Sequence, residues 1–142
     1  MREPTPRERI LTECARHGRP AVVAGCVRLL AGGDTDDRFV RVLGGRTAPN
    51  VLAQPEREDL RYWLRVWGAR GLLWAWEDSA LDALCAAFSD EAWRVREMAA
   101  KVVARNLVGD ALEAVAPLRD DPVLRVRVAA TRAVATLTAK GA

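Results

Sequence analysis

DEAWRVREMAAKVVA, residues 90–104, is followed 31 residues later by DPVLRVRVAATRAVA, residues 121–135. Aligning residues 80–107 with 111–138 at that offset gives ten identities in 28 positions, against the roughly two expected of unrelated segments. Asp90/Asp121, Arg94/Arg125, Val95/Val126, Arg96/Arg127, Ala99/Ala130 and Val103/Val134 are among them. Other pairs keep their character, such as Asp82/Glu113, Leu84/Val115 and Lys101/Arg132. The chain contains an internal repeat. A unit of this size recurs because it cannot bury its apolar face alone and needs a copy beside it.

Each unit reads as two helices. Leu81, Leu84, Cys85 and Phe88 fall at i, i+3, i+4 and i+7 and form one apolar stripe. Ser89-Asp90 breaks that pattern and offers an N-cap for a second helix, striped by Val95, Met98, Ala99, Val102 and Val103. In the next unit Asp121-Pro122 supplies a cap followed by proline at the first helical position, and Gly109 marks the stop between units. Gly68, Ala99 and Ala130 share the 31-residue register, which adds a third, degenerate unit upstream and places small residues where helices approach closely. The same register joins Asp59, Asp90 and Asp121, and likewise Arg65, Arg96 and Arg127, each Arg six residues after its Asp.

This Asp-x5-Arg pattern resembles that of the HEAT-repeat family of armadillo-like α-solenoids. In that family an Asp at the inter-helix turn and an Arg in the second helix form a ladder between successive repeats. Pro117, inside a first helix, is similar to the proline that kinks the family's first helix. The 31-residue period is shorter than the usual HEAT length of about 40–47 and resembles the short, phycobilin-lyase-like subtype. The resemblance covers residues 49–139 and implies an all-α fold, an α-α superhelix of stacked antiparallel helix pairs. On that reading residues 1–142 form one domain: a degenerate repeat at 49–79 and clear repeats at 80–110 and 111–142, preceded by a diverged helical cap at 1–48. In the cap, RERILTECARHG and PAVVAGCVRLLAGG read as a helical hairpin turned at His17-Gly18-Arg19-Pro20, with Arg9, Glu13 and Arg16 on its polar side. DDRFVRVLGG adds a shorter helix ended by Gly44-Gly45.

Composition narrows the function classes. Half the residues are apolar and 29% are charged, which suits a globular chain of one domain's length. No apolar run approaches the roughly 18–20 residues needed to cross a bilayer, and the charged, proline-bearing MREPTPRERI does not read as a secretory leader. A cytoplasmic protein without membrane partners is the expectation. Cys14, Cys26 and Cys85 are too few and too scattered for a disulfide framework. The 22 basic residues exceed the 19 acidic ones only slightly, so charge points to nucleic acid only if the basic side chains share a face.

Two features stand out as candidate binding elements. YWLRVWGARGLLWAW, residues 62–76, holds four of the five tryptophans, with Trp63 and Trp67 four apart on one helix face and Trp93 repeating the position of Tyr62. Arg70 sits between Trp67 and Trp74 at helical spacing, where it can stack on an aromatic ring. Arg70, Lys101 and Arg132 form a second basic column in the 31-residue register, turned away from the Asp/Arg columns. Tyr62, Trp63, Trp67, Arg70, Trp93, Lys101 and Arg132 are therefore the candidate partner-binding residues. The plain alternative is that the tryptophans are core and the basic column is a solvated face. For Asp59, Arg65, Asp90, Arg96, Asp121 and Arg127 the expected role is structural.

Nothing in the sequence asks for catalysis. His17, the lone histidine, precedes a glycine in a turn and has no paired nucleophile. Cys14, His17 and Cys26 fall one short of a closed zinc site, and neither glycine pair has the lysine of a phosphate loop. No cofactor or metal is expected. A protein-interaction adaptor, with the partner on the concave face, is the first functional expectation. The alternative is nucleic-acid binding: the resemblance extends to HEAT-like alkylpurine DNA glycosylases, in which tryptophans and basic residues line such a face.

Overall fold

A computed structural model describes residues 2–141, and the chain is all-α, with no strand among those residues. In chain order the helices are α1 (Pro6–His17), α2 (Arg19–Leu30), α3 (Asp37–Gly44), α4 (Ala48–Leu52) and α5 (Glu58–Gly71). After them come α6 (Leu81–Ala87), α7 (Trp93–Asn106), α8 (Leu112–Val115) and α9 (Leu124–Gly141), with short 3-10 turns between. α2 packs on α5, α5 on α7, and α7 on α9. Around this row lie shorter helices, with α1 against α2, α3 against α5, α6 against α7, and α8 with its following turn against α9.

Local chemistry explains the boundaries. Thr5 caps α1 by accepting the Glu8 amide at 3.1 Å. Gly18 then turns the chain into α2 at φ 87°, a conformation that favours glycine. Asp36 caps α3 through the Phe39 amide at 2.7 Å, and Gly45 ends it at φ 64°. The stop between the two clear units is not Gly109 but Leu107, which takes a left-handed conformation, with φ 54° and ψ 51°, after α7 ends at Asn106. Nor is Pro122 the first helical residue, because α9 begins at Leu124. Asp121 instead closes a turn onto the Val123 amide at 2.9 Å, as Asp90 does onto Ala92 at 2.8 Å. Pro117 acts where expected: α8 stops at Val115 and continues as a 3-10 turn over Ala116–Asp120, whereas α6, with Ala86 in the matching position, runs unbroken.

The core runs along the row. Val95, Ala99, Val102 and Val103 of α7 and Val126, Ala130 and Ala133 of α9 are buried, as the two stripes demand. Glu13, expected on the polar side of α1, is buried as well. Its carboxylate receives both terminal nitrogens of Arg38 on α3, a fork that satisfies a charge the helix face alone would leave stranded. Two tight spots explain the glycines of α5. A Cβ on Gly68 would lie 2.8 Å from the Cys26 carbonyl oxygen of α2, and one on Gly71 would collide with Cys26 Sγ. In the later units the positions matching Gly68 hold Ala99 and Ala130, and those matching Gly71 hold Val102 and Ala133. Gly68→Val is expected to destabilise the fold by about 2–3 kcal/mol in urea unfolding, since backbone must shift to admit the side chain.

Candidate functional site

Two arginine–aspartate forks join neighbouring second helices. Arg65 of α5 donates from Nε and Nη2 to Asp90 at 2.7 and 3.1 Å, and Arg96 of α7 repeats this on Asp121 at 2.8 and 3.1 Å. The same arginine also holds its own unit's turn. Arg96 Nη1 donates to the Asp90 carbonyl at 2.8 Å, and Arg127 does likewise to the Asp121 carbonyl at 2.8 Å. Each bridging aspartate thus accepts two guanidinium bonds and one backbone amide. Burial alone would push the Asp121 carboxyl up, but the Arg96 fork, the Val123 amide and the charges of Arg96 and Arg127 outweigh it and hold the carboxyl below the usual range.

Asp59 stands outside this ladder. It is exposed and pairs with Arg57 two residues away. The reason lies upstream: the forks span 25 residues, and 25 before Asp59 stands Asp34, which cannot donate. Asp34 meets Arg61 at 3.6 Å instead.

The aromatic cluster divides. Trp67 is core, 3% exposed, with its ring over Gly44 of α3, where an added Cβ would come within 2.8 Å of the ring. Tyr62, Trp63 and Trp93 remain half-exposed. The Tyr62 and Trp63 rings lie 5.0 Å apart, and the Arg94 guanidinium sits 5.4 Å from the Trp63 centroid and 4.4 Å from that of Trp93. Arg125 adds a second cation over Trp93 at 5.2 Å. The result is a continuous cation–aromatic run across α5, α7 and α9.

Arg70 does not stack on any tryptophan or join the basic column. Its Nη2 donates to the Leu43 carbonyl at the end of α3, at 2.5 Å, and its Nε is buried without a partner among the described residues. Burial, followed by the nearby charge of Arg9, lowers its pKa from the ordinary guanidinium value. Lys101 and Arg132 are brought together, on the walls of one groove of about 350 Å³ between α7 and α9. Leu124, Arg125 and Val128 complete the walls, and Glu97, 6% exposed, forms the floor. Glu97 accepts from Arg125 at 2.9 Å and lies 3.6 Å from Lys101. A groove with three cations, one already-paired carboxylate and a leucine–valine wall can take an acidic group beside an apolar one.

Arg94 and Arg125 are the candidate contact residues that the spacing arguments did not single out. Arg94 and Arg125 were legible in principle, being an identical pair in the repeat whose register runs back to Trp63. Elsewhere the chemistry is sparse. Burial, with a smaller push from Cys14, raises the Cys26 thiol to about 12, which makes it a packing residue. Among the described residues no three His, Cys, Asp or Glu side chains gather as a metal site would require. No family model, curated protein or solved structure matches the chain.

Proposed function

We propose that the chain is a HEAT-like α-solenoid, an α-α superhelix of stacked helix pairs, and that it serves as a non-catalytic interaction module. The row of second helices and the repeating Arg–Asp forks support the architecture. One observation carries the function: the half-exposed run Trp63–Arg94–Trp93–Arg125 leads directly into the groove walled by Lys101, Arg125 and Arg132. Tryptophan and arginine are the side chains that most often anchor protein interfaces. Tyr62, Trp63, Trp93, Lys101 and Arg132 are retained as contact residues, and Arg94 and Arg125 join them. Trp67 and Arg70 do not. The partner this surface fits is a protein segment with carboxylates flanking an apolar side chain. Base stacking is less well served, because Arg94 and Arg125 already engage Trp93.

The test is affinity capture from native lysate with the tagged chain and a Lys101→Gln, Arg132→Glu variant, both nuclease-treated and both checked for helicity. A defined protein retained by the parent and lost from the variant is the expected result. Equal capture by both removes the groove from the reading. Nucleic acid recovered in a salt-sensitive manner from untreated lysate, with no specific protein, reverses the choice of partner.

A further inference from the structure

The repeat register exposes a second surface, which shares Leu124, Val128 and Arg132 with the groove floored by Glu97 and extends beyond it to Arg119, Arg127, Thr131 and Ala135. In α5, Val66 is 5% exposed and Ala69 is fully buried. In α7, Glu97 is 6% exposed and Ala100 is fully buried, and it is this side of α7 that receives α9. The matching residues of α9 are Val128, 52% exposed, and Thr131, also exposed. Leu124, 63% exposed, and Ala135 extend the same stripe at i, i+4, i+7 and i+11, one continuous helix face. A groove of about 550 Å³ runs along it, walled by Arg119, Arg127 and Arg132 and by no acidic side chain.

Arg127 supplies the polar half. Arg65 and Arg96 each spend Nε and Nη2 on the aspartate that precedes the next second helix. Arg127 uses only Nη1, on the Asp121 and Pro122 carbonyls, and its Nε and Nη2 have no partner among the described residues. The guanidinium is thus positioned by its own turn, with the carboxylate-binding edge of its fork unoccupied, beside an apolar stripe of the kind its two predecessors cover with a helix.

We propose that the outer face of α9 docks an amphipathic helix of a partner protein whose preceding turn carries an aspartate, received by Arg127 as Asp121 is received by Arg96. Charge selects this occupant over a second copy of the chain paired face to face, which would set Arg119, Arg127 and Arg132 against themselves. Arg127 lies outside the Glu97 groove, so its fork carries this inference without the proposed function above, and the Arg127→Lys arm of the test lets either fail while the other stands.

The probe is a fluorescein-labelled peptide of residues 118–139 of this chain, which contains the Asp121 turn and the helix behind it. It carries Arg125→Leu, because Val128 stands where Glu97 receives Arg125 in the parent contact. Titration of the full chain at low salt, followed by anisotropy, is expected to show saturable binding. Val128→Glu in the chain, or Asp121→Asn in the peptide, is expected to weaken it by about fivefold or more. Arg127→Lys keeps a donor for the Asp121 and Pro122 carbonyls but lacks the fork, and combining it with the Asp121→Asn peptide is expected to add no further loss. Additive losses overturn the Arg127 assignment. Binding unchanged by Val128→Glu, or no saturation at millimolar peptide, overturns the docking face. Self-association of the chain in sedimentation, abolished by Val128→Glu, overturns the choice of a foreign partner.

Discussion

Asp121→Ala lowers the stability of the folded chain by about 3 kcal/mol in chemical denaturation, a large share of the 5–15 kcal/mol typical of a domain. Alanine removes three bonds at once: the two from Arg96 and the one from the Val123 amide. Most of the loss comes from what is left behind, a guanidinium held between two helices and facing no charge. Asp59→Ala is the matched control. It removes the residue in the same register but outside the ladder, exposed and paired only locally, and leaves the unfolding midpoint where it was. Asp121→Asn falls between, since it can keep the turn onto Val123 while losing the ionic bond. The pH response follows with a definite sign. Asp121, and Glu13 beneath the Arg38 fork, have folded-state pKa values below those of the unfolded chain. Their contribution is therefore complete above the ordinary carboxylate pKa and is lost as pH falls through the lowered values. Denaturant midpoints measured from pH 7 down to strong acid should be flat near neutrality, then decline. That decline should be shallower in Asp121→Asn.

Trp67→Ala costs about 4 kcal/mol or prevents folding, while Trp93→Ala is expected to leave a stable chain and to weaken the proposed interaction. The two residues look alike on paper. Trp67 is sealed between α5 and α3, its ring over Gly44, and truncation opens a cavity that backbone on the other side cannot close. Trp93 rests half-exposed beneath Arg94 and Arg125, so its loss removes two cation–aromatic contacts while Arg125 stays on Glu97 and Arg94 over Trp63, and it opens little. Unfolding midpoints separate the two variants. Partner capture by Trp93→Ala then reads the surface without interference from stability.

The contrast shows which features a sequence can carry. The helices of residues 80–139 and the ladder residues were legible because a repeat compares the chain with itself, so chance patterns in one copy are checked by the other. Asp59 broke the column for a reason visible only when the partner is known: the fork reaches 25 residues, and position 34 is an aspartate. Arg70 shares a register with Lys101 and Arg132 but sits beside α3, whose terminal carbonyl at Leu43 claims it; nothing equivalent flanks the later two. Trp67 was open between core and surface because periodicity gives a face but not what covers that face. Glu13 was read as a solvated charge because its partner, Arg38, lies on another helix, 25 residues away. The stacking of Arg94 and Arg125 was not legible although both lie in the repeat, because helical spacing pairs an arginine with rings on its own helix, and these two reach Trp63 and Trp93 across to the neighbouring helix or from the adjoining position.

One further consequence follows from the reach of the forks. They join residues 25 apart, and no side-chain hydrogen bond among the described residues spans more than the 34 between Asn106 and Leu72. Each closure therefore costs little chain entropy and need wait only for the adjoining segment to form. The polypeptide can organise progressively as it emerges during synthesis, each arginine ready before its aspartate arrives.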